Sequence, residues 1–234
     1  TDESCDGLND GTATATPIGM SAPLSYSWST SPVQTSNPAT GIDPGVYDVT
    51  VTDANGCVVT APITIDPGPL VVAVIVPITN QCLMGNSFSF DGSSSTINLG
   101  SITSYSWDFG DGSTGSGATT SYSYGASGTY TVTLTVSDGT CTDQTTQNIT
   151  IFDMPTVLAS GTPVTCFGDN DGTTDATGSG TSGYSYDWDI PATGASQSGL
   201  GLGTYTVTVT DVNGCTASDN YEVTEPPALV ITVV

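Results

Sequence analysis

One pattern occurs three times in this chain of 234 residues, and it restricts the possible folds more than any other feature. A Tyr-x-Trp triplet is followed by a Gly-x-Tyr triplet, which opens a run where Val or Leu alternates with Thr. A period of two is typical of a half-buried β-strand. The triplets begin at Tyr26 and Gly45, at Tyr105 and Gly128, and at Tyr186 and Gly203.

The spacing of the three copies indicates tandem domains. Trp28, Trp107 and Trp188 lie about 80 residues apart, which is the size of one small β-sandwich. The sequence therefore predicts an all-β chain of three tandem immunoglobulin-like β-sandwich modules, with one Trp in each core. The Tyr residues of the Gly-x-Tyr triplets are predicted to be structural as well; they are Tyr47, Tyr130 and Tyr205.

Proline-rich linkers mark the predicted module boundaries at residues 66–69, 153–155 and 225–227. We predict one module over residues 1–69, a second over 70–154, a third over 155–227 and a separate strand over 228–234. Because proline restricts such short linkers, the modules are expected to form a semi-rigid rod.

The charge balance excludes several functions. The chain has 23 Asp and Glu residues and no Lys, Arg or His. Nucleic acid is not expected as a partner because nothing can neutralise its phosphates. The serine triad, the Cys–His dyad and the Schiff-base lysine are absent, so we expect no enzyme. The longest apolar run, at residues 70–76, is too short to insert into a membrane. The acidity indicates either adaptation to a salty or protease-rich exterior, or calcium binding.

Six cysteines, two in each predicted module, favour an extracellular or cell-surface location. A zinc site is not expected, because C-x-x-C spacing and His are both absent. Six cysteines allow many pairings, but the repetition of the modules favours bridges within each one. The predicted pairs are Cys5 with Cys57, Cys82 with Cys141, and Cys166 with Cys215.

Acidic loops lie beside the cysteines of the first and third modules. The predicted bridges would bring together the Asp and Asn residues that follow the first Cys and precede the second. Converging carboxylates without a basic neighbour need a cation, and such oxygen ligands suit Ca²⁺. The alternative is that Asp and Asn near Gly simply form turns. The candidate ligands are Asp6, Asn9, Asp10, Asp53 and Asn55, and Asp169, Asn170, Asp171, Asp211 and Asn213.

The first and third modules resemble the SprB-type repeat of large surface proteins from gliding and related bacteria, through residues 5–11 (CDGLNDG) and 166–172 (CFGDNDG). The middle module resembles a PKD domain through residues 88–93 (FSFDGS) and 106–112 (SWDFGDG), although its Cys pair departs from a typical PKD domain. Both resemblances imply immunoglobulin-like sandwiches of cell surfaces, adhesins or secreted hydrolases. In the middle module, Asp91, Asp108 and Asp111 match PKD positions near which some family members bind calcium.

The last seven residues form an apolar strand that belongs to none of the three modules. The first module opens almost directly at Cys5, without the strand that its counterpart has before Cys166. We expect the last strand to complete the first module of the next unit, within one continuous chain or by strand donation between subunits. This polymer seam comprises Ala228, Leu229, Val230, Ile231, Thr232, Val233 and Val234.

These features together predict a structural protein that is its own partner. The chain is expected to be a repeat unit of an extracellular bacterial filament or giant surface adhesin, assembled head to tail. The alternatives are an adhesin module that binds glycans or a host surface, and an accessory tail of a secreted hydrolase. A module that binds glycans needs an exposed aromatic platform, whereas the aromatic residues here are spaced as core residues.

Overall fold

The computed structural model describes residues 1–232, and its regular secondary structure consists of β-strands. This confirms the predicted all-β class. Within that range, no helix has the length and apolar character needed to cross a membrane. The chain divides into two compact units: one contains residues 1–77, 89–120 and 131–147, and the other contains 78–88, 121–130 and the residues from 148 onward.

We call residues 1–69 the first segment, 70–154 the middle segment and 155–227 the last segment. The count of three modules and these boundaries stay predictions.

The first segment has two small sheets. Its strands are β1 (Gly11–Ala13), β2 (Ser25–Trp28), β3 (Ala39–Ile42), β4 (Gly45–Thr52) and β5 (Val58–Ile65). β1 pairs antiparallel with β3, while β4 lies between β2 and β5. Alternation along β4 buries Val49 and Val51 in one core with Trp28. The Trp28 indole N–H donates to the carbonyl oxygen of Ser36 at 2.8 Å.

The middle segment has nine strands around a core of aromatic residues. They are β6 (Val71–Val72), β7 (Gln81–Cys82), β8 (Phe88–Asp91), β9 (Thr96–Ile97), β10 (Ser104–Asp108), β11 (Thr114–Ser116), β12 (Thr119–Tyr122), β13 (Gly128–Ser137) and β14 (Thr142–Phe152). The largest sheet has the order β11-β10-β13-β14-β7. The buried Trp107 ring lies 5.6 Å from the Phe90 ring, and its indole N–H donates to Gly117 O at 3.0 Å.

The last segment has two three-stranded sheets. Its strands are β15 (Thr156–Thr162), β16 (Gly172–Ser179), β17 (Ser185–Trp188), β18 (Ser196–Leu200), β19 (Gly203–Thr210) and β20 (Thr216–Val223). One sheet has the order β15-β16-β18 and the other β17-β19-β20. Trp188 is buried against Val207 and Ala176, and its indole N–H donates to Gly194 O at 2.9 Å. The predicted core position of the three Trp residues is therefore confirmed.

The Tyr residues of the three Gly-x-Tyr triplets form the same local hydrogen bond. Each Tyr hydroxyl donates to the carbonyl oxygen four residues earlier: Tyr47 to Asp43 at 2.9 Å, Tyr130 to Ala126 at 3.0 Å, and Tyr205 to Gly201 at 3.1 Å. These bonds fasten the entry of β4, β13 and β19 to the preceding loop, which is the structural role predicted for them.

The segment after β20 has no regular secondary structure over residues 224–232. Leu229, Val230 and Ile231 are 95%, 82% and 83% exposed. The predicted polymer seam thus begins as an uncovered apolar stretch, and its last residues, Val233 and Val234, lie outside the described residues.

Candidate functional site

The turns that carry the second Cys of each segment share one hydrogen-bond pattern. The Cys N–H donates to Oδ1 of the Asp that opens the turn: Cys57 to Asp53 at 2.8 Å, Cys141 to Asp138 at 2.7 Å, and Cys215 to Asp211 at 2.9 Å. The N–H of each Asp donates back to the Cys carbonyl oxygen. Chiefly because the Cys N–H stabilises the carboxylate, the pKa values of Asp53 and Asp138 lie below the ordinary 3.8.

The loops that carry Cys5 and Cys166 also match. Ser4 donates its N–H and its hydroxyl to the two oxygens of Asp10, and Thr165 does the same to Asp171. The hydroxyl bonds are the main reason that the pKa values of both Asp residues are lowered. Two nearly identical loops therefore present the first Cys of the first and last segments.

The disulfides differ from the prediction, so the three predicted bridges within modules are wrong. Cys5 is bonded to Cys141 and Cys82 to Cys215, with Cα–Cα distances of 5.6 Å in both. Each bridge joins the first Cys of one segment to the second Cys of the following segment. A disulfide framework is present, but it connects segments rather than closing each one.

Contacts with the outgoing linker explain this pairing. The N–H of Asp6 donates to Pro69 O at 3.1 Å, and a Cβ on Gly68 would lie 2.7 Å from the Cys5 backbone. In the middle segment, Cys82 pairs with Phe152 where β7 meets β14, and Leu83 N–H donates to Phe152 O at 2.8 Å. The first Cys of a segment therefore lies beside the linker that leaves it, within reach of the next segment.

Two cysteines, Cys57 and Cys166, have free thiols and are exposed. The bonded counterparts of Cys57 are more covered, since Cys141 and Cys215 are only 4% and 1% exposed. The turn at Cys57 has the same hydrogen bonds as the turns at Cys141 and Cys215. The difference in exposure therefore comes from what packs on the turn.

Five of the predicted calcium ligands accept a hydrogen bond from the backbone N–H two residues further along the chain. Asp91 accepts from Ser93 N–H, Asp108 from Gly110 N–H, Asp111 from Ser113 N–H, Asp53 from Asn55 N–H and Asp211 from Asn213 N–H, all at 2.8–2.9 Å. In residues 1–232, no group of three or more Asp, Glu or Cys side chains is arranged to hold a metal ion.

In the first and last segments, the disulfides that were predicted to bring the candidate calcium ligands together are not formed. Without the Cys5–Cys57 bridge, nothing links Asp6, Asn9 and Asp10 covalently to the turn of Asp53 and Asn55. The same holds for Asp169, Asn170 and Asp171 relative to Asp211 and Asn213 in the absence of the Cys166–Cys215 bridge. Calcium binding stays a prediction.

Asp211 is the candidate ligand with an unusual environment. It is 5% exposed, and its Oδ1 accepts the N–H groups of Asn213 and Cys215. Its Oδ2 is buried and has no hydrogen-bond donor among the described residues. A buried carboxylate oxygen without a donor is unfavourable, so a cation would have its largest effect here.

An apolar groove opens on the first segment. It has a volume of about 500 Å³ and extends from the exposed side chains of β5 down to Trp28. β5 is exposed along its length up to Ile65, including Val59 and Ile63. The groove is lined by Ile18, Met20, Trp28, Val51, Val59 and Ile63, among others.

In the last segment, β15 covers the corresponding face. Val157 and Ala159 of β15 pack against the cluster that contains Trp188. The N–H of Ala159 donates to Asp219 Oδ2 at 2.8 Å, and the Tyr221 hydroxyl donates to Gly161 O at 3.0 Å, so β15 is fastened to β20. No strand of the described residues has this place in the first segment, where β1 pairs only with β3.

Thr1 contacts β1 in the same way as the last residue of β15 contacts β16. Its carbonyl oxygen accepts the Thr12 N–H at 3.0 Å, and the two side-chain hydroxyls lie 2.9 Å apart. Thr162, the last residue of β15, pairs with Thr173 and has the same hydroxyl distance of 2.9 Å. Thr1 therefore occupies the position that ends the covering strand in the last segment.

Sequence reasoning missed the groove residues on β5. Its sequence, VVTAPITI, carries apolar side chains on both faces, whereas its counterpart β20 reads TASDNYEV. An edge strand with two apolar faces is a signal for an additional covering element. This signal was available in the sequence and points to the uncovered face of the first segment.

Comparisons with known proteins agree with the motifs. A PKD domain model matches residues 72–152, and a SprB repeat model matches residues 1–33, as predicted from the sequence. Among solved structures, the chain is similar to the PKD1 domain of Vibrio anguillarum Epp, with 33% identity, 36% of this chain and 92% of that chain covered, and a TM-score of 0.29.

Two multidomain structures are similar along most of the chain. One contains the three N-terminal domains of the bacteriophage RB49 highly immunogenic outer capsid protein, with 14% identity, 96% of each chain covered and a TM-score of 0.45. The other contains the eight N-terminal Ig domains of Down syndrome cell adhesion molecule, with 15% identity, 94% of this chain and 34% of that chain covered, and a TM-score of 0.36.

SprB and PKD domains are typically non-catalytic modules, and together with the two disulfides they point to an extracellular or surface protein. Through residues 72–152 the chain belongs to the PKD-domain family, and it carries a SprB repeat over residues 1–33.

Proposed function

We propose that this chain is a structural repeat unit of an extracellular bacterial filament or giant surface adhesin, and that copies join head to tail by strand complementation. Residues 228–234 of one copy become the covering strand of the first segment in the next copy. The domain types support a surface protein built of non-catalytic modules.

The observation that carries this proposal is the uncovered apolar face of the first segment. Its groove presents Val59 and Ile63 of β5 to solvent, where the last segment packs its own β15. Burying a Val, Leu or Ile side chain stabilises a protein by about 1.5–3 kcal/mol. A strand that fills the groove therefore has a strong driving force.

Residues 228–234 are mostly apolar and so match the apolar groove of the first segment. If the register of β15 is transferred by placing Val234 of the preceding copy before Thr1, Val230 takes the place of Val157 and Ile231 that of Leu158. Val157 packs on the cluster of Trp188, so Val230 is expected to pack toward Trp28 of the recipient. In this register exposed Val230 would become covered, whereas Leu229 and Ile231 would take the outward positions of Thr156 and Leu158.

The charge of the chain makes this association depend on salt. Each copy carries a net charge of −23, and like charges repel over about 10 Å at 0.1 M ionic strength. Dissolved salt screens that repulsion but leaves apolar burial largely intact. Assembly is therefore expected to accelerate as the ionic strength increases.

Deletion of residues 228–234 tests the proposal. The intact chain should form end-to-end assemblies, visible by electron microscopy and light scattering, and the deletion should abolish them. Ile18→Asp in the groove should weaken assembly, whereas Met84→Asp should not, because Met84 is 78% exposed and lies outside the groove. Assembly by the deletion variant at the rate of the intact chain would overturn strand complementation.

The covalent form of the polymer has its own test. Native assemblies dissolved under denaturing and reducing conditions should release a 23.6 kDa species if separate subunits donate strands. A much larger species would mean that the same strand enters the next segment within one continuous polypeptide.

A further inference from the structure

We infer that Cys166 of one copy forms a disulfide with Cys57 of the next copy and thereby locks each junction of the assembly. This inference rests on the proposed head-to-tail function. It assigns a partner to the two cysteines that are free in the single chain.

The pairing rule of the two observed disulfides leads directly to this partner. Cys5 of the first segment bonds Cys141 of the middle segment, and Cys82 of the middle segment bonds Cys215 of the last. Each time, the first Cys of one segment reaches the second Cys of the segment that follows the linker. Applied to the last segment, the rule pairs Cys166 with the second Cys of a following first segment, which is Cys57.

The loop around Cys166 has the same hydrogen bonds as the loop around Cys5, which forms a disulfide. Asp171 receives the same two hydrogen bonds from Thr165 that Asp10 receives from Ser4. The loop is also fastened to its outgoing linker, because Gly168 N–H donates to Glu225 Oε2 at 3.1 Å. The corresponding contact in the first segment runs from Asp6 N–H to Pro69 O.

The turn around Cys57 has the same hydrogen bond as the turns of the two bonded second cysteines, Cys141 and Cys215. Asp53 holds the Cys57 N–H at 2.8 Å, as Asp138 and Asp211 hold those of Cys141 and Cys215. Cys57 also lines the groove that is proposed to receive the strand of residues 228–234. Strand docking and the disulfide therefore use one side of the recipient segment, as β15 and Cys215 do in the last segment.

The bond forms by an ordinary thiol–disulfide exchange. The two thiols lose two protons and two electrons as the Sγ–Sγ bond forms. The electrons pass to an oxidant that is itself a disulfide, either a small molecule or a protein, which is reduced to two thiols. The Cys5–Cys141 and Cys82–Cys215 bridges require the same class of oxidant, so the new bond needs no additional chemistry.

Two single variants of the 234-residue chain test the assignment. The wild-type chain, assembled in a glutathione redox buffer, should give a ladder of covalent multimers on a non-reducing denaturing gel. Cys57→Ser and Cys166→Ser should each run as monomers. An equimolar mixture of the two variants should give a covalent dimer and nothing larger, because it offers one Cys57 and one Cys166 per pair.

Peptide mapping identifies the bond. Cleavage at acidic or aromatic residues is needed because the chain has no Lys or Arg. In an equimolar mixture of ¹⁴N and ¹⁵N chains, about half of the linked Cys57–Cys166 peptides should combine the two isotopes. Linked peptides of a single isotope only, or a Cys166–Cys166 bond, would overturn the inference.

Assembly measured under reducing conditions separates the two proposals. Filaments that form in the Cys57→Ser, Cys166→Ser double variant and in the reduced wild type show that strand docking operates without the bond. Wild-type filaments without the Cys57–Cys166 peptide after oxidation would overturn the disulfide alone. Failure of all these chains to assemble at any ionic strength, with no covalent ladder, would overturn both proposals.

Discussion

The first and last segments have nearly the same loops and turns, but they cover their cores differently. In the last segment, β16 has eight residues, and β15 pairs with seven of them, from Thr173 to Ser179. In the first segment, the equivalent β1 has only three residues and pairs with β3 alone. The sequences GTATATPI and GTTDATGS start alike, so the partner strand determines how far the strand extends.

This comparison also explains the distribution of apolar residues on the outer strands. β20 carries Asp219 and Tyr221, which bond β15 through polar atoms. The equivalent positions on β5 are Ala61 and Ile63, which are exposed. The last segment is fastened to a strand of its own, whereas the first segment presents apolar, exposed side chains at the same positions.

Removing a disulfide should have the largest effect on stability. The double variant Cys82→Ser, Cys215→Ser opens a loop with a sequence separation of 133 residues, which corresponds to about 5 kcal/mol of unfolding free energy in the chain-entropy model. The matched control is Cys57→Ser, Cys166→Ser in the monomer, which should change stability by less than about 0.5 kcal/mol. Urea unfolding compares them, and equal losses would contradict the distinction between bonded and free pairs.

A synthetic peptide with the sequence of residues 228–234 should make the first segment resemble the last. Added to the chain that lacks these residues, at a hundredfold excess over its Kd, it should stabilise the folded state by about 2.7 kcal/mol. Hydrogen exchange should slow at residues 14–18, while β16 should not change. A scrambled peptide is the control, and protection that appears equally with it would argue against a specific strand site.

Calcium should have a smaller effect, centred on the last segment. At a free Ca²⁺ concentration tenfold above Kd, binding stabilises the folded state by about 1.4 kcal/mol. Asp211→Asn should reduce this increment, whereas Asp175→Asn should not, because Asp175 is exposed and is not a predicted ligand. Melting curves at fixed ionic strength with Ca²⁺ and with EDTA provide the measurement. Curves that overlay would remove the calcium assignment.

The smallest effect should come from the Asp that opens each Cys turn. The folded-state pKa of Asp138 is lowered, chiefly by the Cys141 N–H, so its ionised form stabilises the fold at neutral pH. This contribution is present above the ordinary pKa of 3.8 and is lost as the pH falls through the folded value. Asp138→Asn should thus be less stable than wild type at pH 7 and equal to it in strong acid.

Acid titration of the equivalent first-segment variant, Asp53→Asn, tests whether the free turn behaves like the bonded one. The pKa of Asp53 is lowered by the same Cys N–H contact, so the same convergence in acid is expected. A difference that persists below the folded pKa would mean that the substitution acts through packing rather than charge.

The sequence by itself determined the features that depend on near neighbours. Alternation of Val and Thr placed Val49, Val51, Val207 and Val209 inside, the Tyr-x-Trp triplets marked the core, and the motifs identified the SprB and PKD domains. The Asp turns before Cys57 and Cys215 were also readable, since each closes within five residues. Local backbone geometry and burial of one face are sufficient for all of these.

The tertiary structure alone decided which cysteines meet and where a strand ends. Repetition of the modules suggested bridges within each one, but Cys5 and Cys82 lie against the linkers that lead onward, and so they bond Cys141 and Cys215. β1 stops at Ala13 because no strand within residues 1–232 pairs beyond it, while β16 continues to Ser179. Both outcomes depend on what packs beside a segment, and that neighbour lies far away in sequence.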